Sequence, residues 1–477
     1  MAEKIKRLAI ALCLVGSTID NGVIAQEYIE PLRVTMPAAA GKSFTEPPAI
    51  PAEPDVASTL DPEGAAESSE YELDELLQLA SRNNPTLRQA RLHVSAELAK
   101  ALQAGLYPNP IVAYEAEQIG VDVEGNKDSP GEFQGGVITQ RFVTAGKLRL
   151  SREKYLRRAH VSEHLVMTQR FRVCNDVRIH YYRTLAASER VRLREELLKT
   201  AEDAAVTAQE AYNMGQARRP EVRKTNVALQ RARLSLLSAR NAQREAFRKL
   251  SALVGLPLTE GQVVGDLVPQ CEPPTFEDAL GRVLAESPEL AAARAKLAVD
   301  RATVERERVE WVPDLVATGG AGYNFEAKET TAVAGLSLEF PLYDRNQGTV
   351  RQARTDYARQ RYEVRRVELS LRDRLAETYQ RYVTALQHVY EYERVILPES
   401  KAAYKELLDS YKRNRVAWYD VLDAQHDYFD AQLMQIDNLV EARTHEVLVF
   451  GYLLHGGLMA AEGPVPPGHI DATPKPR

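Results

Sequence analysis

Cysteine is scarce in this chain. Three cysteines occur among 477 residues, at positions 13, 174 and 271, and their spacing matches no zinc or thiol-redox motif. The nine histidines are also scattered. His160, His164 and His180 share one predicted helix, but spacings of 4 and 16 do not form a convincing metal site. A phosphate-binding glycine loop and a nucleophile paired with a base are lacking too. The sequence therefore predicts no enzyme, no resident metal and no cofactor.

A surplus of positive charge and long apolar runs are lacking as well. Lys and Arg number 61 against 67 Asp and Glu, a net charge of −6, so no basic surface for nucleic acid is expected. No run after the N-terminus approaches the roughly 20 apolar residues that a membrane-spanning helix needs. At the N-terminus, basic residues precede a short apolar run, and Val23-Ile24-Ala25 is a candidate cleavage site. We predict that residues 1–25 are a signal peptide and that the protein is exported.

Proline and glycine are absent from two long stretches. Neither occurs from Lys147 to Asn213, so 67 residues can form one helix about 100 Å long. Thr349 to Tyr411 is similar except for Pro398, where we predict a kink. Each long helix then turns and returns, which gives helical hairpins over 147–255 and 349–456. The proline-rich segments are 26–70, 257–274 and 458–477, and we predict that the first and last are disordered.

The two halves of the chain follow one plan. Asn84-Pro85 in the first half corresponds to Ser287-Pro288 in the second. Tyr212 corresponds to Tyr411, each with a valine ten positions later. A repeat of this length indicates a duplicated structural unit. The predicted repeats are residues 71–256 and 275–457, joined by the linker 257–274.

Each repeat also contains two segments in which apolar residues alternate with small or polar ones. Leu315, Ala317 and Tyr323 alternate with Thr318 and Gly322, for example, and a period of two places one set on each face of a strand. Four strands with one apolar face cannot close a barrel, but three copies would supply 12, within the range of outer-membrane barrels. The predicted strands are residues 110–118, 133–143, 315–325 and 331–341.

Two other classes of protein also contain long helices. One is a secreted coiled-coil scaffold without a pore, but it does not explain why the chain has both a signal peptide and alternating strands. A periplasmic adaptor carries one helical hairpin flanked by small β-domains, whereas this chain has two complete repeats. A channel subunit is therefore the favoured interpretation, and an adaptor or a scaffold is the alternative.

Over residues 71–457 the sequence resembles the TolC-like outer-membrane efflux family. The resemblance rests on the order and spacing of several short motifs, which occur within the two repeats. The Gly146-Lys147 exit from the second strand is most similar to the heavy-metal-exporting branch of that family. The other motifs are Tyr107-Pro108-Asn109-Pro110, the Tyr-x-x-Gly sequence at 212–215, and Asp420-Val421-Leu422-Asp423-Ala424 after Tyr411.

The resemblance implies a fold and an activity. The fold would be mainly α with a small β part: a duplicated repeat of long helical hairpins and two β-hairpins. Three copies would form a homotrimer with a 12-stranded barrel in contact with outer-membrane lipid, continued by a helical tunnel in the periplasm of a Gram-negative-type cell. The trimer would passively conduct substrates that an inner-membrane pump delivers through a periplasmic adaptor.

The resemblance also implies site residues at the periplasmic end. Asp420 and Asp423 lie one helical turn apart and would form two stacked carboxylate rings at a gate, although an ordinary exposed helix face has the same spacing. Tyr411 resembles the gate tyrosine of the family, and Arg415 would be its displaced gate arginine. Asn414 stands where the family has a glycine. The predicted adaptor-contact tips are Tyr212, Asn213, Met214 and Gly215 in the first hairpin and Lys412, Arg413 and Asn414 in the second.

Cys174 and Cys271 permit one disulfide in an oxidising compartment. Cys174 lies 27 residues into the first long helix, a depth of about 40 Å, and the returning arm ends at Gly255 near the same level. Cys271 follows in the linker between the repeats. A bond is feasible on this geometry, and two unpaired thiols are the alternative.

Overall fold

A computed structural model of the chain describes residues 70–119, 131–215, 217–258, 261–269, 272–413 and 415–465. The predicted signal peptide, the proline-rich segment before residue 70, Cys271, Asn414 and residues 466–477 lie outside the described residues. None of the described helices is both long enough and apolar enough to cross a membrane.

The first repeat contains four helices and three strands among the described residues. Its long helix, α3, runs unbroken for 67 residues and packs against α2 and against the returning helix α4. The elements are β1 (Glu70–Tyr71), α1 (Leu73–Asn83), α2 (Pro85–Gly105), β2 (Ile111–Glu117), β3 (Phe133–Phe142), α3 (Lys147–Asn213) and α4 (Arg219–Val254).

The second repeat follows the same order after the short strand β4 (Gln262–Val263), which pairs in parallel with β1. The predicted fold class, mainly α with duplicated helical hairpins and β-hairpins, is confirmed. The elements are α5 (Phe276–Glu286), α6 (Pro288–Arg308), β5 (Leu315–Asn324), β6 (Glu329–Leu338), α7 (Gln347–Glu391), a π-helical turn (Tyr392–Ile396), α8 (Leu397–Lys412) and α9 (Trp418–Phe450).

The π-helical turn lies immediately before Pro398, the site of the predicted kink. Proline has no backbone N–H, and its ring clashes with the carbonyl four residues earlier in an α-helix. The wider π-helical turn avoids this clash. The Leu397 amide donates a hydrogen bond to the Tyr392 carbonyl, five residues earlier in the chain. The interruption is therefore a local change of helical pitch in the outgoing arm of the second hairpin.

Four strands form one antiparallel sheet in the order β2-β3-β5-β6. The two repeats meet at the β3–β5 pair, where Gly135 lies opposite Gly322. β6 starts two residues earlier and ends three residues earlier than the predicted strand 331–341. Its last residue, Leu338, pairs with Leu315, the first residue of β5, so the following residues have no partner strand.

The register divides the sheet into an apolar face and a polar face. Large apolar side chains on the first face are exposed to the surroundings. The opposite face carries carboxylates and hydroxyls, and the Thr139 and Thr318 hydroxyl oxygens lie 3.3 Å apart across the β3–β5 pair. The exposed apolar residues include Val112, Tyr114, Ile138, Phe142, Tyr323, Leu336 and Leu338; the polar face includes Glu115, Glu117, Thr139, Thr318, Thr331 and Ser337.

Glycine at position 322 leaves room for an aromatic ring on the polar face. A Cβ atom there would lie 2.5 Å from two ring carbons of Phe133, and it would also collide with the carbonyl oxygen of Gln134. Phe133 is nevertheless a buried residue, because its ring lies across the strand pair. The close contact of backbone and ring therefore depends on glycine.

We expect Gly322→Ala to destabilise the sheet by about 1–3 kcal/mol, because the added methyl group overpacks the β3–β5 pair. Gly319→Ala, in the same strand, is the matched control, since a Cβ there meets no atom within 4 Å. Thermal unfolding of both variants in detergent, followed by circular dichroism, measures the difference. Equal midpoints for the two variants would contradict this account of the strand pair.

The main hydrophobic core lies where α1, α3, α4 and the β1–β4 pair meet. Tyr71, Leu76, Val177 and Leu250 are all buried there. Cys174 belongs to the same core, and its buried thiol forms no disulfide within the described residues. Burial raises the pKa of this thiol. Because Cys271 lies outside the described residues, its pairing with Cys174 stays a prediction.

The described start of the predicted C-terminal tail packs on α3. Gln169 donates a hydrogen bond to the Met459 carbonyl at 3.3 Å, and Arg172 forms an ion pair with Glu462 at 2.9 Å. Residues 458–465 therefore belong to the folded body rather than to a disordered tail.

Candidate gate and helix-tip surface

The first hairpin turns at the end of α3. Gly215 has a φ of +73°, a left-handed conformation that glycine adopts without strain. Its amide donates to the Tyr212 carbonyl at 3.0 Å, which closes the turn. The predicted contact residues Tyr212, Asn213, Met214 and Gly215 all lie at this tip and are exposed.

The second hairpin turns between α8 and α9. The amides of Arg413 and Arg415 both donate to the Ser410 carbonyl, at 3.2 and 3.0 Å. Lys412, Arg413 and Arg415 are exposed. The second tip therefore presents a cluster of basic side chains.

The two predicted gate carboxylates lie at the start of α9. The Oδ2 atom of Asp420 accepts a hydrogen bond from the Ala417 amide at 3.2 Å, so this carboxylate caps its own helix. Glu221 caps α4 in the same way, by accepting from the Arg218 amide at 3.2 Å. Asp423 is exposed one turn further on, and it has no polar partner among the described residues. Asp420 thus has a local structural role, and Asp423 does not.

The two other predicted gate residues lie close by in the chain but are bonded differently. The Tyr411 ring packs against the Trp418 ring with centroids 4.7 Å apart. Within the described residues, the Arg415 side chain forms no ion pair with Asp420 or Asp423. Sequence reasoning missed Trp418, whose buried Nε1 has no hydrogen-bond partner in the described part of the chain. Among the described residues of this tip, the aromatic pair joins the two arms and no ion pair does.

The carboxylates of the predicted gate continue along α9 as an exposed acidic stripe. The helix carries seven acidic residues and only Arg443 as a basic one, a net charge of −6. The corresponding helix of the first repeat, α4, carries nine basic and two acidic residues, a net charge of +7. In the sequence, the stripe is indicated by acidic residues at intervals of three, four and seven, which place them on one face of a helix. The stripe consists of Asp420, Asp423, Asp427, Asp430, Asp437 and Glu441.

The buried face of α9 is unusually polar. Gln425, Gln435 and Asn438 are buried against neighbouring helices, and Gln435 donates to the Val389 carbonyl at 3.3 Å. Each of the three amides has one polar atom without a hydrogen-bond partner in the described residues. By contrast, α4 packs on α3 through apolar residues such as Leu236 and Phe247. The two returning helices therefore differ in the side chains that pack against their neighbours: α9 buries amides and α4 buries apolar residues.

An ion cluster joins the sheet to the long helices. Asp314, which precedes β5, accepts from Lys147 at 2.8 Å, from Arg141 at 2.7 Å and from the Thr144 amide at 3.1 Å. Burial alone raises the pKa of Asp314, but the three donors outweigh burial and hold that pKa below the usual value of an aspartate. Lys147 opens α3 in the first repeat, so this cluster links the two repeats at the base of the sheet.

The described residues contain no group of three or more His, Cys, Asp or Glu side chains placed to hold a metal ion. The geometry assembled here consists of surfaces: an apolar sheet face, an acidic helix stripe and two exposed tips. Such surfaces can contact lipid, attract cations and dock on another protein.

Comparisons with known proteins identify a family and several relatives. The sequence model of a family described as outer membrane efflux protein matches residues 76–256 and 279–447. The chain is 26% identical over 411 residues to the cobalt-zinc-cadmium resistance protein CzcC of Cupriavidus metallidurans, a match that covers 84% of this chain and 94% of that protein. It is 25% identical over 286 residues to the nickel-cobalt-cadmium resistance protein NccC of Alcaligenes xylosoxydans xylosoxydans, which covers 60% of this chain and 64% of that protein.

Solved structures share the fold. A crystal structure of CusC has a TM-score of 0.68 at 16% sequence identity and covers 87% of this chain and 99% of that one. The open state of the MtrE outer membrane channel of Neisseria gonorrhoeae has a TM-score of 0.68 at 18% identity and covers 87% of this chain and 98% of that one.

Proposed function

Because the chain belongs to the outer membrane efflux protein family, we propose that it is the outer-membrane channel of a tripartite efflux system. In such a system a periplasmic adaptor joins the channel to an inner-membrane pump. The channel conducts passively and performs no chemistry. The two complete repeats argue against the alternative of a periplasmic adaptor or a pore-free scaffold.

The observation that carries the proposal is the four-stranded sheet. Its apolar face is exposed, its other face is polar, and the outer edges of its end strands β2 and β6 are unpaired within the described residues. Unpaired strand edges pair readily with another chain. Three sheets joined edge to edge make a 12-stranded barrel with the apolar face toward lipid. The long hairpins then extend the barrel as a tunnel into the periplasm.

Divalent heavy-metal cations are the proposed substrates. The relative from Cupriavidus metallidurans, described as a cobalt-zinc-cadmium resistance protein, matches over 94% of its own length. The acidic stripe of α9 supports the same class, because carboxylates attract cations and repel anions. In the trimer, Asp420 and Asp423 form two carboxylate rings at the periplasmic gate, beside Tyr411 and Arg415.

The two hairpin tips are the proposed adaptor contacts. Charge reversal at the second tip, Lys412→Glu with Arg413→Glu, is expected to lower cobalt, zinc and cadmium resistance at least tenfold in cells that depend on this chain. The reason is that reversed charges repel a partner selected for a basic surface. Growth at graded metal concentrations and the metal content of the cells measure the effect.

The matched control is Lys401→Glu with Lys405→Glu, two exposed residues on the same helix but away from the tip. We expect this variant to keep full resistance, and both variants to keep the wild-type conductance in a lipid bilayer. If cells that carry the wild-type chain show no resistance to cobalt, zinc or cadmium, the proposed substrate class is contradicted. Unchanged resistance in the tip variant would contradict the docking surface.

A further inference from the structure

The C-terminal half of α4 presents a concentrated basic surface. Arg240, Arg244, Arg248 and Lys249 lie within ten residues and are all exposed; we call these four residues the upper basic surface. A shallow groove of about 460 Å³ runs along it. Its lining residues are Asn241, Arg244, Glu245, Arg248, Lys249 and Ala252.

Two of the four cations have carboxylate partners. Arg240 forms an ion pair with Glu195 of α3 at 2.7 Å. Lys249 forms one with Glu245, one turn earlier on the same helix, at 2.6 Å. These pairs neutralise half of the upper basic surface.

Among the described residues, the other two cations have no carboxylate partner. Arg244 donates to the amide oxygen of Asn241 at 2.9 Å, which carries no charge. In the described part of the chain, Arg248 has no carboxylate within ion-pairing distance. Two guanidinium groups are therefore available to an acidic ligand, and guanidinium binds carboxylate strongly because its donors match both oxygens.

A second groove connects this surface with the point where the described chain begins. It measures about 500 Å³ and shares Arg244 with the first groove. Glu70, the first described residue, also lines it, and the next residue, Tyr71, is fully buried. The other lining residues are Thr184, Ser188, Gln243, Phe247, Gly261 and Gln262. Glu70 therefore lines a groove that also contains Arg244 of the upper basic surface.

The charge of that preceding chain is complementary. Residues 44–69 contain six acidic residues and no lysine or arginine. Residues 466–477, at the other end, contain one acidic and two basic residues. Charge thus selects the N-terminal segment over the C-terminal one. The acidic residues are Glu46, Glu53, Asp55, Asp61, Glu63 and Glu67.

The acidic segment is also long enough to follow the upper basic surface. Nine residues from Asp61 to Ser69 span about 28 Å in the extended polyproline conformation that proline favours. The stretch of α4 from Arg240 to Lys249 is only about 14 Å long at the helical rise. Asp61, Glu63 and Glu67 can therefore reach both uncompensated guanidinium groups.

We propose that the acidic, proline-rich segment 44–69 docks on the upper basic surface of its own chain. Proline lowers the entropy lost on docking, because it restricts the free segment to extended conformations. Salt weakens the contact, because exposed charges are screened at high ionic strength. The docked segment fixes the path of the N-terminal chain along α4.

A zero-length carbodiimide cross-linker tests the proposal, since it joins a carboxylate to a lysine amine only where the two are in contact. Treatment of the whole protein at low salt should join residues 44–69 to Lys249, as mapped by mass spectrometry. Lys224, about 38 Å away on the same helix, should give little of this product. Arg244→Gln with Arg248→Gln keeps the reactive lysine and should reduce the yield at Lys249 at least fivefold. Arg223→Gln with Arg231→Gln is the matched control and should leave the yield unchanged.

Mixing isotopically labelled and unlabelled copies identifies the occupant. Cross-links confined within one isotopic form support docking on the same chain. Three results would overturn the proposal. They are links between labelled and unlabelled chains, equal yields at Lys224 and Lys249, and an unchanged yield in the variant with Arg244 and Arg248 replaced. The ion-pair partner Glu245 will cross-link to Lys249 in any case, so it is not counted. A Lys249 link to any other acidic residue outside 44–69 would assign the surface to another occupant.

Discussion

Replacing Asp420 and Asp423 together by alanine is expected to raise the single-channel conductance in a planar lipid bilayer and to reduce the preference for cations about fivefold or more. In the proposed trimer the change removes six carboxylates from the narrow end of the tunnel. One unit charge at 4 Å contributes about 1 kcal/mol even in water, which is roughly a fivefold effect on ion occupancy. Reversal potentials under a salt gradient measure the cation preference.

The capping bond of Asp420 requires two controls. Asp420→Asn with Asp423→Asn keeps an acceptor for the Ala417 amide and removes only charge, so it should reproduce the loss of cation preference. Glu221→Ala removes the equivalent cap from α4 without touching the gate, and it should leave conductance unchanged. If cation preference survives in both double variants, the two aspartates do not form the gate rings.

Asp314→Asn is expected to cost about 3–5 kcal/mol of stability, as the loss of one partner of a buried ion pair does. Lys147 and Asp314 are both buried, with side chains 7% and 8% exposed, so the variant leaves a buried ammonium without its counter-charge. Arg141→Gln is the matched control, because Arg141 is 52% exposed and an exposed partner contributes at most about 1 kcal/mol. Chemical denaturation of both variants in detergent measures the difference, and equal losses would contradict the assigned role of Lys147.

The same cluster sets a pH dependence. The pKa of Asp314 is lower in the folded protein than in the unfolded chain, so its ionised form stabilises the fold. That stabilisation is fully present above the unfolded pKa, about 3.9, and is lost as the pH falls through the lower folded pKa. The stability gap between wild type and Asp314→Asn should therefore stay constant near neutrality and shrink below about pH 4. A gap that shrinks between pH 6 and 8 would point to another group.

The long elements of this fold were predictable because their signals are local. The absence of proline and glycine from Lys147 to Asn213 is enough to indicate one helix, and alternation at Leu315 to Tyr323 is enough to indicate a strand. The end of β6 was not predictable, because it depends on where β5 begins on the neighbouring strand. Pairing of β3 with β5 across the repeats likewise depends on tertiary structure.

The candidate site was only partly predictable for the same reason. Motif spacing located the two tips and the pair Asp420 and Asp423. The contact of Tyr411 with Trp418 and the capping role of Asp420 depend on the geometry of the turn between α8 and α9. The unpaired guanidinium groups of Arg244 and Arg248 required knowledge of which carboxylates lie within reach.

The amide-rich buried face of α9 has a thermodynamic consequence for any motion of the second hairpin. Exposing apolar surface raises the heat capacity by about 0.45 cal/K/mol per Å², whereas exposing polar surface lowers it by about 0.26. Separating Gln425, Gln435 and Asn438 from their neighbours therefore changes the heat capacity less than separating the leucine-lined α4 from α3. The free energy of moving the second hairpin should accordingly vary almost linearly with temperature.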